Sequence, residues 1–151
     1  MKIYLIAVGK IKDGIIRQKV SEYLERPVKG FEVIAKNVLD GEGAPPRMRA
    51  QEAENILNAV PARAMVVALD ERGEEASSLE FAEMIKKTVN SGRNLAFVIG
   101  GAYGLDETVR GHAEKVLALS RLTFSHELAR LVLAEQIYRA LSIIKGAPYH
   151  H

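Results

Sequence analysis

A run of apolar residues that stops at three glycines carries the first chemical signal in this chain: Leu95-Ala-Phe-Val-Ile-Gly-Gly-Ala-Tyr-Gly-Leu105. A glycine turn lets a ligand approach the main chain, because no Cβ intervenes and positive φ angles are accessible. At the carboxyl end of a parallel strand such a turn suits a nucleoside. The spacing is G-G-x-x-G, not G-x-G-x-x-G, and no acidic residue stands about twenty positions on after a second strand. It therefore fails as a dinucleotide fingerprint. An ordinary tight turn is also compatible with these residues.

The second signal is Leu119-Ser-Arg-Leu-Thr-Phe124, followed by Ser125, His126 and Glu127 at the start of a long helix. Ser125 can cap the free amides and Glu127 complements the positive end of the helix dipole. Capping accounts for those two residues, whereas Arg121 exceeds what capping requires. Further along, Arg130, Arg139 and Lys145, with His126, His150 and His151, recur at spacings that suit a stripe facing a phosphate backbone. A solvated helix face has the same composition. Tyr149 suits stacking on a base, or a frayed tail.

The elements that must position these residues alternate. Ile3 to Val8, Phe31 to Ala35, Ala64 to Leu69 and Leu95 to Ile99 read as buried parallel strands, with a weaker fifth at Val116 to Leu119. Helical spacing links Ile16, Val20, Tyr23 and Leu24, then Ala53, Ile56, Leu57 and Val60, then Phe81, Ile85 and Val89. Asp13 and Ser78 are candidate caps, and residues 41–46 form a Gly/Pro loop, the best candidate for a mobile segment, before a helix starting near Arg47. The pattern predicts one α/β domain over residues 1–151, a mostly parallel sheet with helices on both faces. From Leu128 to Ile144 the last helix has more apolar residues than one face can hold, which suggests cover by a second copy.

Composition narrows the classes. With 151 residues, 48% hydrophobic, one core is sufficient. There is no cysteine, so thiolate metal sites and disulfides are excluded, in keeping with a cytoplasmic setting. The four histidines have no metal-ligand spacing on a helix, and no metal is expected. The opening MKIYLIAVGK is too short to span a membrane and lacks a signal cleavage site. A formal charge of +2 permits nucleic-acid binding without announcing it.

In order along the chain stand A-V-G-K after the first strand, V-A-L-D at 67–70, F-V-I-G-G-x-x-G-L at 97–105, L-S-x-L-T-F-x-H at 119–126, R-x-V-L-x-E-Q-x-Y-R-A at 130–140 and a closing P-Y-H. Together they resemble the ribosomal RNA large subunit methyltransferase H family, over the whole chain. The resemblance implies a SPOUT fold whose C-terminal part is tied in a trefoil knot, and S-adenosylmethionine as cofactor. It further implies methyl transfer to N3 of pseudouridine 1915 in 23S ribosomal RNA, within the large subunit or whole ribosome, by a homodimer that shares one active site. By motif, Leu69, Gly100, Leu119, Ser120, Arg121, Leu122, Thr123 and Phe124 would hold the cofactor. His126, Arg139, Tyr149 and His150 would serve catalysis, and Arg130, Arg139 and His151 would grip RNA. The chain departs from the family at Ser125, where proline is frequent, and at His151, where a permanently charged residue is usual.

Overall fold

A computed structural model describes residues 1–151. Five strands form one parallel sheet in the order β2-β1-β4-β3-β5. They are β1 (Lys2–Val8), β2 (Glu32–Val38), β3 (Met65–Glu75), β4 (Leu95–Ile99) and β5 (Lys115–Ala118). The helices are α1 (Gly14–Leu24), α2 (Pro45–Ala59), α3 (Ser78–Asn90), α4 (Glu107–His112) and α5 (His126–Lys145). The expected α/β architecture is present, with α1, α3 and α5 on one face and α2 and α4 on the other.

The strands read as continuous apolar runs because both sheet faces are covered. Successive side chains alternate between two cores. Ile3, Leu5, Ala7, Phe97 and Ile99 pack with Phe81 and Ile85 of α3 and Leu133 and Ile137 of α5. Tyr4, Ile6, Val8 and Val98 pack with Ala53 and Ile56 of α2 and Val109 of α4. Burying a side chain such as Phe97 or Ile137 contributes about 1.5–3 kcal/mol.

Several boundaries differ from expectation. Ser77, one residue before Ser78, caps α3: its hydroxyl accepts from the Glu80 amide while Glu80 accepts from the Ser77 amide, a reciprocal capping box. The helix α2 starts at Pro45, where proline supplies a helical φ without needing its absent N–H. The short helix α4 has too few turns to show a period, yet Asp106 caps it by accepting from the Thr108 amide at 2.9 Å. The strand β3 continues six residues past Leu69 through an irregularity, so that Leu117 of β5 pairs with both Leu69 and Glu74. Only glycine fits at Gly73, where a Cβ would lie 2.7 Å from the Val116 carbonyl.

The strongly apolar α5 has its explanation within the chain. It lies on the sheet with α1 along one flank and α3 along the other, so Leu133, Ala134, Ile137, Ala140 and Leu141 are all buried in a single copy. The apolar perimeter therefore does not by itself require a second subunit. Gly146, with φ of 67°, ends the helix in the left-handed conformation that glycine adopts freely.

Candidate active site

The carboxyl ends of β3, β4 and β5 open into a cleft of about 1080 Å³, the position where open parallel sheets bind ligands. Each strand delivers one wall. Leu69 ends the regular part of β3, Ile99 and Gly100 follow from β4, and the segment 119–124 leaves β5 and crosses the opening before α5 begins. Of the residues expected to hold a cofactor, Leu69, Gly100, Leu119, Ser120, Leu122, Thr123 and Phe124 all line this cleft. Arg121 does not. Its side chain is 87% exposed and pairs with Glu75 at 3.5 Å, because the turn at 120–122 points it away from the cleft.

Gly100 has a role other than clearing room for a ligand. A Cβ there would stand 2.5 Å from the Gly104 carbonyl carbon, so glycine is required for the turn to close on itself. Gly104, at φ +76°, has nothing within 4 Å of the corresponding position and faces open space. The amides of Ala102, Tyr103, Thr123 and Phe124 have no backbone acceptor in the chain. They supply unused donors beside the apolar walls of Leu69, Ile99 and Leu119. Apolar walls with a few free backbone donors suit an adenosine-bearing ligand with a charged amino-acid end, so the residues present fit S-adenosylmethionine.

An ionic network braces the rim. Asp70, directly after Leu69, accepts from the Arg72 amide at 2.9 Å and from Arg110 at 2.9 Å, and Arg110 also donates to the Leu105 carbonyl at 2.8 Å. Burial would raise the Asp70 carboxyl, but the hydrogen bonds from the Arg72 side chain and amide and from Arg110 outweigh it, leaving the carboxyl below its ordinary value. Across the opening the Thr123 hydroxyl bonds the Glu71 carboxylate, joining segments 52 positions apart. Asp70 stands inside the V-A-L-D motif, but no periodicity marked Arg110, because α4 itself was not legible.

The other expected residues divide into two groups. His126, the first residue of α5, lines the cleft. Arg139, Tyr149 and His150 gather far down the same helix. The tail folds back so that Tyr149 stacks edge-on to Tyr138 at 4.8 Å, lies under Arg139 at 4.8 Å and donates to Glu135 at 3.2 Å. Arg139 pairs with Glu135 at 2.5 Å, and His150 Nδ1 is 3.4 Å from its guanidinium. Burial, with Tyr23 and Glu135 adding to it, pushes the Tyr149 hydroxyl up to about 12. Arg139 stands 13 positions after His126 on α5, roughly 20 Å along the axis, so within one copy the cleft and this cluster do not meet.

Arg130 is a correction to the expected RNA-facing stripe. It is 2% exposed, and its guanidinium donates to the carbonyls of Val8 and Gly9 and, at 3.3 Å, to Asn37. With its donors turned inward it cannot reach a phosphate. Glu127 likewise does more than complement the helix dipole, since it accepts from the amides of Lys12 and Asp13 at 2.9 and 3.0 Å and fastens the start of α1 to α5. His151, at the end of the tail, is exposed.

The fold and the cleft at its strand ends define a SPOUT-type methyltransferase: the family model described as "Predicted SPOUT methyltransferase" matches residues 1–150. A solved structure described as a probable methyltransferase from Bordetella pertussis shares the fold, with a TM-score of 0.58 at 15% identity, covering 92% of this chain and 95% of its own. Full-length relatives are far closer in sequence. Ribosomal RNA large subunit methyltransferase H of Solidesulfovibrio magneticus is 46% identical over 97% of both chains. Its namesake from Anaeromyxobacter sp. is 43% identical over 99% of both, and that of Geobacter sulfurreducens is 41% identical over 100% of both. The chain belongs to the ribosomal RNA large subunit methyltransferase H family. No helix is long and apolar enough to cross a membrane.

Proposed function

We propose that this protein methylates 23S ribosomal RNA at N3 of pseudouridine 1915, using S-adenosylmethionine, on the large subunit or the whole ribosome in the cytoplasm. The observation that carries this reading is the convergence of Leu69, Gly100 and residues 119–124 on one cleft at the strand ends. The implied trefoil knot belongs to the same reading.

When bound, S-adenosylmethionine supplies a methyl group already activated by a positive sulfur. The chain must then hold the cofactor, exclude water, align the acceptor nitrogen and dispose of one proton. The free amides of Ala102, Tyr103, Thr123 and Phe124 bind and orient, while Leu122 and Phe124 wall off solvent. As the nitrogen gains the methyl group its proton leaves, and His126 beside the cleft and His150 of the tail are the candidate acceptors. Tyr149, protonated until about pH 12, serves as a donor and stacking surface, not as a base. Arg139 would steady negative charge on the nucleobase.

A homodimer reconciles the two groups. Because the cleft and the Arg139–Tyr149–His150 cluster stand roughly 20 Å apart along α5, the tail of one copy would complete the cleft of the other. Incubation with S-adenosylmethionine and unmodified large subunits or ribosomes, followed by mass spectrometry of the RNA, should locate one new methyl group at that pseudouridine. Product at another base would overturn the target, and none at all would overturn the activity. Mixing a cleft-defective variant with one lacking residues 149–151 should restore product if the site is shared.

A further inference from the structure

Arg26, just beyond α1, is exposed and has no carboxylate within ion-pair distance. Glu22, four positions earlier and in the favourable orientation for a helical pair, is held by Lys19 at 2.8 Å and bonded by Gln18. The Arg26 guanidinium carbon instead lies 4.7 Å from the Tyr23 ring centre and 4.8 Å from that of Tyr138. Those rings are 6.3 Å apart. The three distances form roughly a right angle at the guanidinium carbon of this exposed residue. Cation–π contact holds the group in place while leaving outward N–H donors free.

This arrangement adjoins the tail cluster without a break. Tyr138, which holds Arg26, also packs edge-on against Tyr149, and Tyr149 holds Arg139. The two arginines differ in charge state as a partner would sense it. Arg139 is paired with Glu135 at 2.5 Å, whereas Arg26 has only the longer-range field of Glu22, which is itself held by Lys19. An ordered, exposed guanidinium that pairs with no carboxylate of its own chain can take two oxygens of a phosphodiester bidentately.

We infer that Arg26, seated on Tyr23 and Tyr138, grips a backbone phosphate of the RNA strand next to the nucleotide being methylated. This rests on the ribosomal RNA substrate and the shared-site homodimer proposed above. Tyr23 and Tyr138 act as positioning residues that lower the entropic cost of the grip. Nothing in the sequence alone distinguishes Arg26 from any solvated arginine, because its second ring partner, Tyr138, comes from α5, 112 positions on.

The test is steady-state methylation of unmodified large subunits by the full-length protein at several salt concentrations. Arg26→Gln should raise KM for the subunit roughly tenfold at low salt while changing kcat less than about twofold. The plot of log(kcat/KM) against log salt should flatten by about one unit, the loss of one phosphate contact. Cofactor affinity should stay at the wild-type level, since Arg26 is not in the cleft. Arg26→Lys keeps the charge but not the planar fork, so it should keep the slope and raise KM by roughly threefold. It also carries the comparison if Arg26→Gln does not fold. Normal wild-type turnover with unchanged KM and slope in Arg26→Gln would sink this inference alone. No methyl incorporation by the wild type would sink the substrate, and this inference with it.

Discussion

Arg130 donates to the carbonyl of Gly9 at 2.9 Å, joining the first turns of α5 to the residue that follows β1, 121 positions away. The same guanidinium reaches Val8 and Asn37, while its Nε has no partner. Burial depresses the arginine below its ordinary value, and Glu127 and Asp40 oppose that only in part. The side chain thus acts as a cross-brace among β1, β2 and α5.

Arg130→Ala should be severely destabilising, by about 3 kcal/mol, because it leaves buried carbonyls unsatisfied and opens a cavity. Urea denaturation of the purified protein measures the loss. If the variant matched the wild type in stability and instead lost RNA affinity with a shallower salt slope, the assignment of Arg130 to the interior would be wrong.

The glycine turn separates two causes of damage. Gly100→Ala places a methyl group 2.5 Å from the Gly104 carbonyl carbon, so the turn must shift, and S-adenosylmethionine affinity should fall at least about tenfold by calorimetry. Gly104→Ala meets no neighbour and carries only the strain of a positive φ, about 1 kcal/mol. It should bind the cofactor nearly as well as the wild type.

Asp70 predicts an acid limb. Its folded carboxyl lies below the ordinary value of 3.8, so its contribution is intact above that value and is lost as pH falls through the lower folded value. Asp70→Asn should therefore be less stable than the wild type at neutral pH. The gap between the two should narrow as pH drops below about 4, followed by thermal denaturation across a pH series.

Tyr149 predicts the opposite limb. With its hydroxyl raised from 10.0 to about 12, its contribution is complete below pH 10 and lost as pH rises toward 12. Ultraviolet titration of tyrosinate should show one late-ionising group that is missing in Tyr149→Phe. Because phenylalanine keeps the stacking on Tyr138, that variant should lose less than about tenfold in kcat. A loss of a thousandfold or more would mean the hydroxyl takes part directly in the chemistry.

Much of the frame is legible in the sequence, since burial on both faces makes parallel strands read as unbroken apolar runs, as Ile3 to Val8 and Leu95 to Ile99 do. The segments that line the cleft were legible for a similar reason. The glycines at 100, 101 and 104 and the cap at Ser125 are local devices whose meaning survives without knowledge of the fold. The helix α4 and the extension of β3 to Glu75 were not legible, the one too short for a period and the other strongly charged and sustained by pairing with β5.

The amino-acid sequence by itself determined the alternation of strands and helices apart from α4, the glycine turn and the family, because periodicity, capping and motif spacing are written in neighbouring residues. Only the tertiary structure decided which charges face in and which face out. Arg130 was sent inward by carbonyls more than 120 positions away, Arg121 outward by the turn that carries it, and Arg26 onto two rings from different helices. A guanidinium carries the same charge in every setting; its task depends on which acceptors the packed chain brings within reach.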